Sequence, residues 1–203
     1  MKKNLILSTL FLLMIALLVT ACSGTSKEDS GTHDDEGENS SAPEEVESSA
    51  PQFDVSQDFQ NQLAAVFTSY SALKEAFVES DAEKVKDEAS SASQAVAKVD
   101  MKLLDGQAHN DWMAYVTPMS NALKEIEKSS DIEIQREAFS TLSDNLYKSI
   151  KAFGLGGKEA FYEYCPMAFN NEGAYWLSDS EKIRNPYFGD KMLNCGTVKE
   201  KLR

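Results

Sequence analysis

From residue 53 onward the apolar residues recur in steps of three and four. Phe59, Leu63, Val66, Phe67, Tyr70, Leu73 and Phe77 fall on one face of a helix. Asp54 or Ser56 can cap its start, and Asp81 offers the next cap. A second, alanine-rich stripe follows as Val85, Ala89, Ala92, Val96, Val99 and Leu103, suited to close approach of a neighbouring helix. Asp105-Gly106 marks a turn. The third stripe is Trp112, Tyr115, Val116, Met119, Leu123 and Ile126, with Pro118 inside it, which predicts a kink or a late helix start. Ser129-Ser130-Asp131 gives another turn and cap. The fourth stripe, Ile134, Ala138, Leu142, Leu146, Ile150 and Phe153, ends at Gly154-Leu155-Gly156-Gly157. Four amphipathic helices with short connections predict a mainly α fold, an up-and-down four-helix bundle over residues 53–157.

The helical period fades after Gly157. Residues 158–203 are dense in aromatic side chains and read as an irregular segment packed on the bundle, one domain with it. Tyr162–Phe169 and Ala174–Leu177 read as short extended pieces around the turn Asn170-Asn171-Glu172-Gly173, a candidate hairpin. Asn185-Pro186-Tyr187-Phe188-Gly189 is a second turn.

The start of the chain follows a different pattern. Lys2 and Lys3 precede an apolar run from Leu5 to Val19, shorter than the ~20 residues of a spanning helix. The run ends in small residues before Cys22, which predicts a secretory signal over residues 1–21. The stretch resembles the lipobox of bacterial lipoproteins. That resemblance implies cleavage before Cys22 and acylation of its thiol, an anchor stable enough to hold the protein on a membrane. Residues 22–52 then read as a lipidated cysteine and an acidic, disordered tether. Between residues 23 and 52 there are nine acids, one base (Lys27) and no aromatic side chain. Lys27-Glu28-Asp29 resembles the export signal of some surface-exposed outer-membrane lipoproteins, but the motif is short and plain solvation is the preferred reading. The expected location is the cell envelope, on the outer membrane, at its periplasmic or surface face.

The formal charge of −13 argues against a nucleic-acid partner, which needs a basic face. Most of that charge sits in the tether, so it describes a solvated leash rather than a binding surface. Beyond the tether His109 is the sole histidine, near a turn, and His33 lies among the tether acids. No Glu-x-x-His pair, His-Glu-x-x-His run or phosphate-loop spacing occurs, and no nucleophile–base–orienter set is visible. The sequence reads as non-catalytic.

The candidate chemistry is sulfur. Cys165-Pro166-Met167 and Met192-Leu193-Asn194-Cys195 bring two cysteines and two methionines into the C-terminal segment. Three readings stand. A disulfide between Cys165 and Cys195 suits an exported protein and would staple the loop by roughly 3–4 kcal/mol. Four sulfurs could instead bind a soft ion such as Cu(I). Two inert thiols with methionine as core filler is the third. Composition alone puts the disulfide first and the metal second.

Resemblance raises the metal reading. The strings Tyr164-Cys165-Pro166-Met167-Ala168, Gly173-Ala174-Tyr175-Trp176-Leu177, Ile183 to Gly189, and Met192-Leu193-x-Cys195-Gly196 resemble one uncharacterised bacterial domain family with a helical part and a Cys-Pro-Met end. That family occurs as exported proteins and lipoproteins, and attached to periplasmic adaptor subunits of copper/silver-type heavy-metal efflux systems. The resemblance covers about residues 53–203, with its specificity in the last forty. The Tyr-x-Cys-Pro-Met core is also similar to the heavy-metal motif of such adaptors, where a histidine follows; Ala168 stands there in this chain. The resemblance implies a soft metal, copper(I), held by Cys165, Met167, Met192 and Cys195. Tyr164, Tyr175 and Trp176 are expected to pack that site and limit water. It also implies metal-efflux components as partners.

Overall fold

Side-chain caps set where the helices begin. Ser56 accepts a hydrogen bond from the Phe59 amide, Asp81 from the amides of Glu83 and Lys84, and Asp131 from that of Glu133. The computed structural model describes residues 50–203, which lie within one compact unit. It contains α1 (Gln57–Glu79), α2 (Ala82–Ala97), α3 (Gly106–Lys128) and α4 (Ile132–Phe153). Each helix packs on its sequence neighbours, and α4 closes back on α1. This is the predicted bundle. Its core joins Phe59, Trp112 and Phe153 edge-to-face at one end. Farther along α1, Tyr70 and Phe77 pack against Phe139 of α4.

Several boundaries differ from the expectation. Helix α2 stops at Ala97, so Val99 and Leu103 lie beyond it, Leu103 in a single 3-10 turn, Met101–Leu103. Helix α3 begins at Gly106 and runs through Pro118, so the late start does not occur. Proline removes the bond to the carbonyl of Ala114, and Ala114 is exposed, where water can take that carbonyl. Ile134, assigned to the buried stripe of α4, is exposed.

The C-terminal segment is more regular than its sequence suggests. Strands β1 (Ala160–Cys165), β2 (Ala174–Ser178) and β3 (Thr197–Leu202) form an antiparallel sheet in the order β2-β1-β3. The β1–β2 pair is the predicted hairpin, although β1 ends at Cys165 rather than at Phe169. Between them Phe169, Asn170 and Asn171 are all left-handed, a conformation that asparagine tolerates and phenylalanine resists. The third strand was not foreseen. Val198, Lys199, Glu200 and Lys201, placed in the irregular segment by sequence, become a strand through pairing with β1.

The sheet is fastened to the bundle by polar as well as apolar contacts. The Tyr70 hydroxyl meets Ser143 Oγ at 2.7 Å and accepts the Leu177 amide at 3.1 Å. Tyr147 of α4 stacks on Tyr162 of β1, its ring centroid 3.8 Å away, and donates to Glu200 of β3 at 2.6 Å. No helix among the described residues is long and apolar enough to cross a membrane. The predicted signal, Cys22 and the tether up to residue 49 lie outside the described residues.

Candidate functional site

Strand β1 is the middle strand, so its side chains are held from both edges. Period-two alternation places Phe161, Glu163 and Cys165 on one face, and all three are buried. Their cross-strand partners on β2 are Ser178, Trp176 and Ala174. The other face carries Tyr162, Tyr164 and Tyr175, with Tyr175 stacked on Tyr162 and tilted against Tyr164. Cys165 is the last residue of β1, paired with Ala174 on β2 just beyond the end of the β1–β3 ladder at Tyr164.

Cys195 reaches it from the loop that joins β2 to β3. Asn185, wholly buried, organises that loop. Its side-chain amide donates to the Cys195 carbonyl at 2.7 Å, and its side-chain oxygen accepts the Tyr187 amide at 2.8 Å. Its backbone N–H bonds the Leu193 carbonyl, and its carbonyl accepts the Gly189 amide. The buried Arg136 of α4 grips the same loop, donating to the Pro186 carbonyl at 2.9 Å. The Cys195 amide bonds the Met192 carbonyl at 3.0 Å.

The result is a pair of free thiols whose sulfurs lie 2.8 Å apart, from residues 30 positions apart in sequence. Cys165 is buried and Cys195 half-buried, so the pair opens outward on the Cys195 side. The shared hydrogen bond with Cys165, and then burial, push the Cys195 thiol up to about 11. Cys195 is therefore protonated at neutral pH. Any metal must displace that proton, and any oxidant must remove it.

Of the four sulfurs singled out in the sequence, this contact joins two. Met167 stands 45% exposed on the turn after β1. Met192 is half-buried at the end of a 3-10 turn, Gly189–Met192, and abuts the pair through its backbone. Trp176 packs the site: a Cβ on Gly196, next to Cys195, would stand 2.7 Å from the edge of its indole. Tyr164 and Tyr175 brace β1 from the opposite face, where the Tyr164 ring covers Gly173.

Residue chemistry tests the fit of a soft ion. Among the described residues no group of three or more His, Cys, Asp or Glu side chains could hold a metal. The thiol pair is of the kind that suits an ion preferring sulfur. Metal–sulfur bonds of about 2.3 Å require sulfurs roughly 4–4.6 Å apart. The donors fit in kind, and Cys195 has to withdraw to admit the ion.

Four buried polar groups near the site do not stand out from the sequence pattern. Glu163 lies beneath the loop, 0% exposed, with neither carboxylate oxygen hydrogen-bonded among the described residues. Lys74 of α1 is 1% exposed, paired with Glu75 at 2.7 Å and with Ser178 Oγ at 3.3 Å. Burial pushes the Glu163 carboxyl up to about 8, against the pull of Lys74. Asn185 and Arg136 complete the set. A signal was present for Glu163 alone: a lone acid within the apolar and aromatic run Ala160–Cys165.

A family model described as "Protein of unknown function (DUF3347)" matches residues 66–158, a little under half of the chain. The matched span covers α1 from Val66 through α4 and stops before β1. The thiol pair thus lies outside it, in the segment whose motifs carry the resemblance noted from sequence. No curated protein and no solved structure matches the chain.

Proposed function

We propose that this chain is a non-catalytic module of the cell envelope, anchored through a lipidated Cys22, that binds a soft ion such as Cu(I) at Cys165 and Cys195. The reading includes buffering of the metal or hand-off to efflux components. The observation that supports it is the thiol–thiol contact, one sulfur buried on a central strand and the other half-buried on a loop. Met167 and Met192 serve as auxiliary donors. Cys165 stays fixed by the sheet while Cys195 adjusts. A bound ion would link β1 to the loop through the two cysteine sulfurs. Because both thiols must lose protons, affinity rises with pH.

Competition against a Cu(I) chelator under reducing conditions tests this. Wild type is expected to take one Cu(I), Cys165→Ser and Cys195→Ser to lose it, and Met167→Ala or Met192→Ala to weaken it. Equal competition by wild type and Cys165→Ser overturns the reading. The same contact supports a second reading, a disulfide-stapled interaction module with no metal. Non-reducing mass spectrometry of protein taken from cells separates the two: a quantitative Cys165–Cys195 bond favours the staple.

A further inference from the structure

The separation of the two sulfurs is set by the loop, because Cys165 cannot move far. Cys165 is paired in the middle strand opposite Ala174. Cys195 is held at three points: its amide on the Met192 carbonyl, its carbonyl on the Asn185 side chain, and its neighbour Gly196 against Trp176. Gly196 has φ +148°, at the edge of the range side chains accept, and a Cβ there would meet the indole. The contact with Trp176 belongs to the backbone itself. The Met192 bond closes a local turn that travels with the loop. The Asn185 backbone N–H holds the same turn at the Leu193 carbonyl, and the Asn185 side chain is the bond that reaches Cys195 itself from a second, buried part of the loop.

At 2.8 Å the sulfurs stand between two chemical outcomes. A disulfide needs about 2.05 Å, and a bridged soft ion roughly 4–4.6 Å. We propose that Asn185 is the positioning residue of this pair: by holding the Cys195 carbonyl it keeps the sulfurs close, favouring the disulfide and opposing the wider spacing a bridged ion requires. This rests on the metal-binding reading for one arm only, since the disulfide arm concerns the thiols themselves. Asn185 touches neither outcome's reacting atoms and acts through the Cys195 backbone.

The test uses the full chain as wild type, Asn185→Asp and Asn185→Ser. Both variants keep an oxygen for the Tyr187 amide and remove the amide N–H that reaches the Cys195 carbonyl; ionised aspartate has no donor, and the serine hydroxyl, engaged on the shorter side chain, does not span to it, so the turn is retained while the tie is cut. Each protein is equilibrated with glutathione and glutathione disulfide. In that exchange one glutathione disulfide is reduced to two glutathiones as the Cys165–Cys195 bond forms, and the two thiol protons pass to the glutathione thiolates. The expected result is an equilibrium constant for the disulfide about tenfold lower in both variants, a rise of about 30 mV in reduction potential. Cu(I) affinity, measured on the reduced proteins by chelator competition, is expected to hold or rise. An unchanged disulfide equilibrium, or a parallel loss of disulfide and Cu(I) binding, overturns the proposal. Near-UV circular dichroism of the reduced variants checks the fold, and if one variant melts the other decides. If wild type binds no Cu(I), the functional reading fails while the glutathione titration still judges Asn185: a tenfold fall supports it and no change overturns it.

Discussion

Glu163 stands directly across the β1–β2 ladder from Trp176, and among the described residues neither its carboxylate nor the indole N–H has a hydrogen-bond partner. Burial without compensation raises the Glu163 carboxyl to about 8, while Lys74 and the nearby indole only moderate the rise. The sign follows from linkage. A carboxyl whose folded value is raised binds its proton more tightly when folded, so its contribution is intact below about pH 4.5 and is lost as pH climbs through about 8. Thermal melts are expected to show stability falling across that window by on the order of a few kcal/mol. Glu163→Gln, neutral throughout, is expected to flatten the slope and to melt higher than wild type at pH 8. Parallel pH profiles for the two proteins would refute this.

Arg136 joins three parts of the molecule. It donates to the carbonyls of Phe77 at the end of α1 and Pro186 in the Cys195 loop, and to Ser80 Oγ, while pairing with Glu133. Arg136→Ala would leave those buried acceptors unpaired, at a cost of about 3 kcal/mol. Arg136→Lys should recover only part of it, because an ammonium lacks the planar fork that reaches two carbonyls at once. Urea unfolding checks both. A lysine variant as stable as wild type would show that charge, and not geometry, is what the site needs.

The helices were legible because their apolar residues keep one period and their caps are standard. Ser56, Asp81 and Asp131 cap where the sequence placed them. Pro118 misled because the cost of a mid-helix proline depends on whether the freed carbonyl can reach water, which sequence does not show. Strand β3 was missed for a related reason: Thr197–Leu202 has little apolar pattern, and β1 makes it a strand. In the candidate site the cysteines were legible by residue type and loop length. Their contact is made by a loop organised around Asn185, a single polar residue in a turn whose neighbours gave no reason to bury it. The methionines were singled out by spacing, but an exposed Met167 shows that sequence proximity to a cysteine does not by itself bring a thioether to the thiol pair.

Gly173 permits the β1–β2 connection. Its φ is +83°, and the Tyr164 ring lies where a Cβ would stand. Gly173→Ala therefore combines backbone strain with a side-chain clash and should cost roughly 1–3 kcal/mol. In Tyr164→Ala/Gly173→Ala the clash is gone and only the strain remains. The double variant should lose less stability than the sum of the single changes. Strict additivity in denaturant melts would mean that the ring simply swings aside.

The family match ends at residue 158, which raises the question of whether the bundle folds without the sheet. The buried side chains argue that it does not fold well alone. Tyr70 lends its hydroxyl to the Leu177 amide, Lys74 reaches Ser178, Arg136 holds Pro186, and Phe139 packs on Tyr187. Removing residues 159–203 uncovers all four at once and leaves a buried ammonium with Glu75 as its remaining partner. Apolar surface loses its cover while the helix hydrogen bonds survive. A fragment of residues 50–158 should therefore keep its far-ultraviolet helical signal, lose its near-ultraviolet tertiary signal and bind a hydrophobic dye, as a molten state does. Its thermal transition should be broad where that of the whole chain is sharp. A fragment melting as cooperatively as the full chain would show instead that the bundle is an independent domain and the sheet an appendage.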